Sequence, residues 1–310
     1  MLQRPTVKKI LVGLDGSPLA ETILPFAEML AKKTGARVTL LHVVPAAEDA
    51  APTGEHAAVD QLIRASMQRA EAYLSEQRRR FAATGLGASI EVVRGHGARA
   101  IVEAAERGGY DLIALATHGR SGVDRWSHGS AADQVLHATK VPLLLVRPGD
   151  GWKAVPREFH CIVVMLDGSA EAERALDVAA PLAAQFCVPL VLFRFVEPMA
   201  LEFGDPMGIA FANVERLMNE TAAEARTQLE AKAAELRKRT SVNASANVAI
   251  ARPGDGIAAY VRDHPDTLVV LTTHGRTGWR QALLGSVARR VVQTVAAPIL
   301  ICARADADAV

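Results

Sequence analysis

Two nearly identical glycine-bearing stretches lie about half the chain apart and carry the residues best suited to chemistry. The first runs from Asp111 as DLIALATHGRSG, and the second runs from Asp266 as DTLVVLTTHGRTG. A glycine and a serine follow each copy at a matched distance, as Gly129-Ser130 and Gly285-Ser286. Glycines let the backbone approach a ligand closely, and a helix that opens on serine offers N–H groups and a hydroxyl to a phosphate. The spacing predicts a phosphate-binding turn in each copy.

An aspartate completes each candidate site. Asp15 lies in KKILVGLDGS, and Asp167 lies in the equivalent segment HCIVVMLDGS. A carboxylate repels phosphate, but it accepts hydrogen bonds from a ribose or from an adenine amine. A glycine-bearing loop before a helix is by itself more often structural than ligand-binding. Two such loops paired with two aspartates favour a nucleotide site in each half.

Other kinds of site find little support in the sequence. A P-loop, G-x-x-x-x-G-K-[ST], is absent, and no G-x-G-x-x-G follows the first strand. His118 and His274 repeat, but neither has an acid or a nucleophile near it in sequence, so a turn-stabilising role is favoured. No H-E-x-x-H or Cys/His cluster indicates a metal site. We therefore predict no catalytic and no metal-ligating residues.

Composition narrows the class of protein. The chain has 310 residues and a formal net charge of +1, so no global field favours nucleic acid or an anionic membrane as a partner. No segment reaches about 18 apolar residues without charges, and we expect neither a membrane helix nor a signal peptide. Cys161, Cys187 and Cys302 are unclustered, which is typical of buried reduced thiols in a cytoplasmic protein.

The chain is a duplication, and each half must position its own site. The halves span 1–147 and 158–304, with a linker at 148–157 and a tail at 305–310. Apolar β-branched runs alternate with helical stretches, which predicts an α/β protein with two tandem doubly wound parallel-sheet domains. We expect five strands and four helices per half. A strand order of 3-2-1-4-5 places the aspartate and the Thr-His-Gly turn at neighbouring strand ends, where such sheets bind ligands.

The predicted elements of the first half follow from this alternation. The first helix contains Pro25, and its counterpart in the second half contains Pro181, each of which should kink the helix or begin a new turn. The predicted strands are 10–14, 37–44, 88–94, 111–116 and 141–146, and the predicted helices are 20–33, 58–84, 98–107 and 130–138.

The chain resembles a tandem universal stress protein over nearly its whole length. The resemblance rests on the opening strand with Asp-Gly-Ser, the LLHVV strand, the THGRSG/THGRTG turns and the closing VPLLLV/APILIC strands. It implies an adenine nucleotide alpha hydrolase-like fold that binds ATP or AMP, with which magnesium can arrive. The implied binding residues are Asp15, Val43, Gly119, Gly129, Ser130 and Ala131, and in the second half Asp167, Phe195, Gly275, Gly285, Ser286 and Val287.

The chain departs from the family's nucleotide-binding signature at its first glycine. Ala116 and Thr272 occupy that position. An added Cβ is mild in β conformation and costs roughly 1 kcal/mol or more where φ is positive. Met165 and Phe195 also replace the smaller Gly13 and Val43, so the first half is expected to bind slightly better.

Three functions remain open at this stage. The leading hypothesis is a cytoplasmic stress-response protein that binds adenine nucleotide and acts as a sensor or protective protein through unknown protein partners. The second is a slow ATPase, for which no general base is evident. The third is a nucleotide-free scaffold, as in the family's other branch. The resemblance also implies that the halves form a dimer-like unit within the chain, through their apolar last strands, and that the chain can form a homodimer.

Overall fold

The computed structural model describes residues 7–46, 56–117, 131–147, 158–198, 209–273 and 285–302. These residues divide into two compact units, one between 7 and 147 and the other between 158 and 302. Each unit alternates β-strands with α-helices.

The first unit confirms the predicted alternation. Its elements are β1 (Lys9–Gly13), α1 (Pro18–Glu21), α2 (Leu24–Thr34), β2 (Arg37–Pro45), α3 (His56–Ala83), β3 (Ala88–Gly95), α4 (Gly97–Gly108), β4 (Leu112–Ala116), α5 (Ala131–Ala138) and β5 (Leu143–Val146). All pairs of neighbouring strands are parallel, and the described strands lie in the order β3-β2-β1-β4-β5. The switch point between β1 and β4 is therefore where the sequence predicted it.

The second unit repeats the arrangement. Its elements are β6 (Cys161–Met165), α6 (Ala170–Glu173), α7 (Ala175–Phe186), β7 (Leu190–Val196), α8 (Ile209–Arg239), β8 (Ala244–Ile250), α9 (Pro253–Asp263), β9 (Thr267–Thr272), α10 (Ser286–Thr294) and β10 (Ile299–Cys302). The strand order is β8-β7-β6-β9-β10, again parallel throughout.

The core of each unit surrounds its central strand. Ile10, Leu11 and Val12 of β1 are fully buried, and so are Ile162 and Val163 of β6. A parallel strand that is apolar on both faces needs helices on both sides of the sheet. Right-handed crossovers place α2 and α3 on one face of the first sheet and α4 and α5 on the other. Helices α4 and α5 pack against each other, as do α9 and α10.

The prediction of four helices per half is wrong, because the first predicted helix of each half is divided in two. In the first unit Pro25 lies in the first turn of α2, where its missing N–H breaks no helical hydrogen bond. In the second unit the division falls at Arg174, which ends α6 and precedes α7, while Pro181 lies inside α7. Pro25 therefore begins a new helix as expected, whereas Pro181 does not mark the break.

The prediction that all three cysteines are buried is also wrong. Cys302 is buried and Cys161 is half-buried, but Cys187 is exposed. Cys187 ends α7 in the left-handed conformation, with φ 57°, and its N–H donates to the carbonyls of Ala183 and Ala184. An apolar neighbourhood in sequence does not bury a residue that leaves the helix at its C-terminus.

Candidate functional site

The Asp-Gly-Ser sequence forms the same turn at the carboxyl end of the first strand in both units. The backbone N–H of Ser17 donates to Oδ1 of Asp15 at 2.8 Å, and that of Ser169 donates to Oδ1 of Asp167 at 2.9 Å. The intervening glycines have φ values of 86° and 88°, a conformation that favours glycine. Each serine hydroxyl then accepts the N–H that starts the next helix, at 3.1 Å in both units. The turn fixes each aspartate at the edge of the sheet, with Asp15 exposed and Asp167 half-buried.

The second strand of each unit runs beyond the end of the first. In β2 the last residue paired with β1 is Leu41, whose carbonyl accepts from Leu14 N–H, yet the strand continues to Pro45. Main-chain groups two residues apart point to the same side of a strand, so those of Val43 face the mouth beyond β1. In the second unit Phe193 accepts from Leu166, and the main chain of Phe195 takes the same position. Val43 and Phe195 thus present backbone groups to the predicted crevice.

The residues that depart from the glycine signature lie in regular strand conformation. Ala116 is the last residue of β4 and pairs with Val146, and Thr272 is the last residue of β9 and pairs with Cys302. Neither has a positive φ. The backbone therefore does not require glycine at either position, and the added side chains carry no conformational penalty there.

A threonine follows each of these positions. Thr117 is 4 % exposed, and its buried Oγ1 has no hydrogen-bond partner among the residues that the structure describes. The equivalent Thr273 is also buried, and its carbonyl accepts from the N–H of Gly285 at 2.9 Å. This bond ties the start of α10 to the end of β9. The helix start predicted to bind phosphate is therefore held against the strand end beside the switch point in the second unit.

Helix α10 begins where the sequence predicted. Gly285 is its N-cap and Ser286 its first residue, followed by Val287. The first N–H groups of a helix have no partner within the helix, and the helix dipole favours an anion there. In the first unit α5 begins at Ala131. Gly119, Gly129, Ser130 and Gly275 lie outside the described residues.

A cavity of about 560 Å³ in the second unit brings the predicted residues together. Its volume is in the range of small-molecule sites. The predicted residues in its wall are Asp167, Phe195, Thr272, Gly285, Ser286 and Val287. Residues that the sequence did not single out as binding residues also line it, among them Arg194, Glu197, Thr221, Pro253 and Thr273.

The large residues of the second unit leave this cavity open. Met165 is 8 % exposed and forms part of the wall rather than filling the space. The ring of Phe195 stacks on Phe193, with centroids 4.4 Å apart. It also lies against Gly256, where a Cβ would come within 2.8 Å of Cδ1 of Phe195. The absence of a side chain at Gly256 therefore makes room for the aromatic ring beside the cavity.

The first unit has a cavity of about 390 Å³ on the side of α3. Its wall includes Gly16 of the aspartate turn, His42 and Val44 of β2, and Arg69 and Tyr73 of α3. The ring of His42 meets that of Tyr73 edge-on, with centroids 6.1 Å apart. Burial lowers the pKa of His42, while the charge of Asp15 and the Leu14 carbonyl oppose that shift.

The residue equivalent to His42 in the second unit is an arginine. Arg194 donates from Nη1 to Oε1 of Gln228 on α8 at 2.9 Å. Its guanidinium covers the aspartate turn, since a Cβ on Gly168 would lie 3.1 Å from Nη1. The sequence repeat aligns His42 with Arg194, so a comparison of the charges at aligned positions would have identified this difference between the halves.

A glutamate after the turn anchors the long helix in each unit. Oε1 of Glu21 accepts from the Tyr73 hydroxyl at 3.2 Å and from Gln77 at 2.9 Å. Burial and the charge of Glu21 raise the pKa of Tyr73, so this hydroxyl stays protonated and donates. In the second unit Lys232 pairs with Glu173 at 2.8 Å. The turn that carries the aspartate is therefore fixed to α3 or α8 as well as to the sheet.

The described residues include no group of three His, Cys, Asp or Glu side chains placed to hold a metal ion. In that same part of the chain, no helix has the length and apolarity needed to cross a membrane.

Comparison with known proteins gives one consistent result. The model of the universal stress protein family matches residues 6–147 and again 158–303. A universal stress protein of Mycolicibacterium smegmatis is 26 % identical over 97 % of this chain and 99 % of its own length. One from Methanocaldococcus jannaschii is 30 % identical over 146 residues, which are 45 % of this chain and 82 % of that protein. The crystal structure of a universal stress protein from Archaeoglobus fulgidus superposes with a TM-score of 0.69 at 21 % identity, covering 97 % of this chain and 98 % of that one.

Proposed function

The chain belongs to the universal stress protein family, and on that premise we propose that it binds adenine nucleotide, ATP or AMP, at the carboxyl ends of the first and fourth strands of each half. The nucleotide state then governs its action as a sensor or protective protein in the stress response, through protein partners. We also propose a cytoplasmic location, which its three free thiols support because disulfides are rare in that compartment.

One observation carries this proposal. The cavity of the second unit joins a carboxylate, an open main-chain edge and the N-terminus of a helix within one space. Asp167 lies at the end of β6, beside the part of β7 that has no partner in β6. Ser286 and Val287 line the same space at the start of α10. The carboxylate suits ribose hydroxyls or an amine, and the helix start suits a phosphate.

The first half has the same arrangement of aspartate turn, second strand and last helix. Asp15 occupies the same turn as Asp167, and the main chain of Val43 has the same exposure at the mouth. Ala131 is the first residue of α5, and its equivalent Val287 is the second residue of α10. We propose a nucleotide in each half, with magnesium carried by the phosphates and water when the ligand is ATP.

The first experiment is to purify the full chain without added nucleotide and to identify released small molecules by mass spectrometry. Titration of the emptied protein with ATP and AMP by calorimetry then gives the number of sites. We expect up to two adenine nucleotides per chain. The proposal is wrong if the protein neither retains nor binds any adenine nucleotide at millimolar concentration.

Single substitutions test whether the predicted residues bind the nucleotide. Ser286→Glu puts a carboxylate at the start of α10, where it repels phosphate, and we expect it to abolish binding to the second half. Ser241→Glu makes the same change on an exposed residue before β8, at the opposite edge of the sheet, and should leave binding intact. Asp167→Asn keeps an oxygen for the turn but removes the charge, and we expect affinity to fall about tenfold or more. Equal effects of Ser286→Glu and Ser241→Glu would place the ligand elsewhere.

A further inference from the structure

The two halves differ in charge at one position beside the aspartate turn. His42 of β2 and Arg194 of β7 are equivalent in the repeat, and each lines the cavity of its own unit. Both lie next to the carboxylate: the charge of Asp15 acts on His42, and the guanidinium of Arg194 covers the glycine after Asp167. The same place beside the aspartate turn therefore holds a permanent cation in one half and a titratable ring in the other.

This difference matters because a carboxylate opposes the binding of phosphate. A cation beside the aspartate turn offsets the negative charge of the aspartate, and the effect grows with the number of phosphate charges on the ligand. Arg194 provides that cation at every pH in the physiological range. His42 provides it only when protonated, and burial lowers its pKa in the free protein.

We propose that this position of the second strand sets the phosphate preference of each half: Arg194 makes the second half select polyphosphate nucleotides at neutral pH, and His42 makes the first half do so only in acid. This inference rests on the proposed function, and it adds the ligand charge that each half selects and a means of regulating it.

The surroundings of His42 support a response to acid. Asp15 faces it from the end of β1, and its carboxylate stabilises the protonated ring. Arg69 and Tyr73 line the same cavity from α3. Tyr73 donates to Glu21 of α1, which adds a second negative charge behind the ring. The charge of Asp15 and the Leu14 carbonyl therefore partly offset the effect of burial on the pKa of His42, and a bound phosphate would stabilise the protonated ring further.

The surroundings of Arg194 hold its charge in place. Gln228 of α8 accepts from one guanidinium nitrogen, and the Gly168 turn lies under the group. Glu197 and Thr221 complete that end of the cavity. The guanidinium is therefore oriented before the ligand binds, which reduces the entropy lost on binding.

The test uses the full chain with one half silenced. Ser286→Glu leaves only the first half able to bind, and the equivalent Ser130→Glu leaves only the second. Calorimetry then gives the affinities for ATP and AMP at pH 7.5 and 5.5 without magnesium. Ligand phosphates also titrate in this range, so His42→Gln in the first half serves as the reference for the ligand's own protonation.

In the first half we expect the ATP-to-AMP affinity ratio to rise when the pH falls from 7.5 to 5.5. This rise should be about two- to fivefold larger in the parent than in His42→Gln, which is the size of effect measured for partly exposed charge pairs. His42→Arg should show the higher ratio at both pH values. Identical pH profiles for the parent and His42→Gln would overturn the inference while leaving nucleotide binding intact.

In the second half Arg194→Gln should lower the ATP-to-AMP ratio by a similar factor, and Arg194→Lys should largely retain it because the charge remains. If Arg194→Lys loses as much as Arg194→Gln, the role of Arg194 is structural and the inference is wrong. If neither half binds any nucleotide in any variant, the proposed function fails and the inference fails with it.

Discussion

The contact between Gly256 of α9 and Phe195 of β7 makes the sharpest quantitative prediction. A Cβ on Gly256 would come closest to Cε1 of Phe195, and it would lie 2.8 Å from Cδ1 of the same ring and 3.2 Å from Cβ of Ala251. Carbon atoms prefer about 3.5–4.0 Å, so the ring must move by more than about 1 Å. The first half has Ala100 and Val43 at these two positions, where the smaller valine tolerates the alanine.

The expected free energies follow from this geometry. Overpacking costs about 1–3 kcal/mol. This cost includes the weakened stacking of Phe195 on Phe193, a contact worth about 0.5–1.5 kcal/mol. Alanine in place of glycine within a helix gains about 1 kcal/mol. Gly256→Ala should therefore destabilise the second half by about 0–2 kcal/mol. In a Phe195→Val background the clash is gone, and the same change should stabilise it by about 1 kcal/mol.

Hydrogen exchange followed by mass spectrometry on peptides from β6 and β9 measures the free energy of opening of this half separately from the other. Gly97→Ala in α4, where a Cβ meets nothing within 4 Å, is the control for helix propensity and is measured on peptides from β1 and β4 of its own half. The double-mutant cycle should give a coupling energy of about 1–3 kcal/mol. A coupling energy near zero, or Gly256→Ala stabilising both backgrounds equally, would refute the steric reasoning.

Three further predictions concern stability and reactivity. Glu21→Ala leaves the buried amide of Gln77 without its acceptor and should cost about 1–3 kcal/mol of stability. Glu173→Ala should cost only about 0–1 kcal/mol, because its lysine partner reaches solvent. Urea denaturation of the two variants measures the difference. A thiol reagent at pH 8 should label Cys187 rapidly in the native chain, Cys161 more slowly and Cys302 only in denaturant, as counted by mass spectrometry. The pKa of His42 is lower in the folded protein than in the unfolded chain, so the unfolded chain binds more protons below about pH 6.5. The ligand-free first half should thus lose stability as the pH falls through that range, and His42→Gln should reduce this loss in thermal melts at pH 7.5 and 5.5.

The fold was predictable because each strand carries a pattern that parallel sheets require. Runs such as Ile10–Leu14 are apolar without alternation, which indicates burial on both faces, and the glycines and prolines between elements mark their ends. The repeat doubled each signal. The division of the first helix in the second unit was not predictable, because the break at Arg174 follows from local turn geometry and not from Pro181.

The site was predictable only where a residue acts through its backbone or its position at a strand end. The strand-end positions of Asp15 and Asp167 and the start of α10 at Ser286 depend on local sequence and are as predicted, whereas the Asp-Gly-Ser turn was not predicted. The interpretation of Thr272 needed its φ, since the same side chain is harmless in β conformation and costly at positive φ. The orientation of Arg194 depends on its hydrogen bond to Gln228 of α8, a residue 34 positions away in sequence.

The two halves keep the same strand ends and turns, and they differ by pairs of substitutions at neighbouring positions. Where the first half has Val43 and Ala100, the second has Phe195 and Gly256, so volume moved from the helix to the strand. Similarly, the edge-on contact of His42 with α3 becomes a hydrogen bond from Arg194 to α8. The turns and strand ends that hold the two aspartates are unchanged, whereas the volume and charge around them differ. If each half binds a nucleotide as proposed, a titratable ring in one half and a permanent cation in the other are what we expect of two sites that select ligands of different charge.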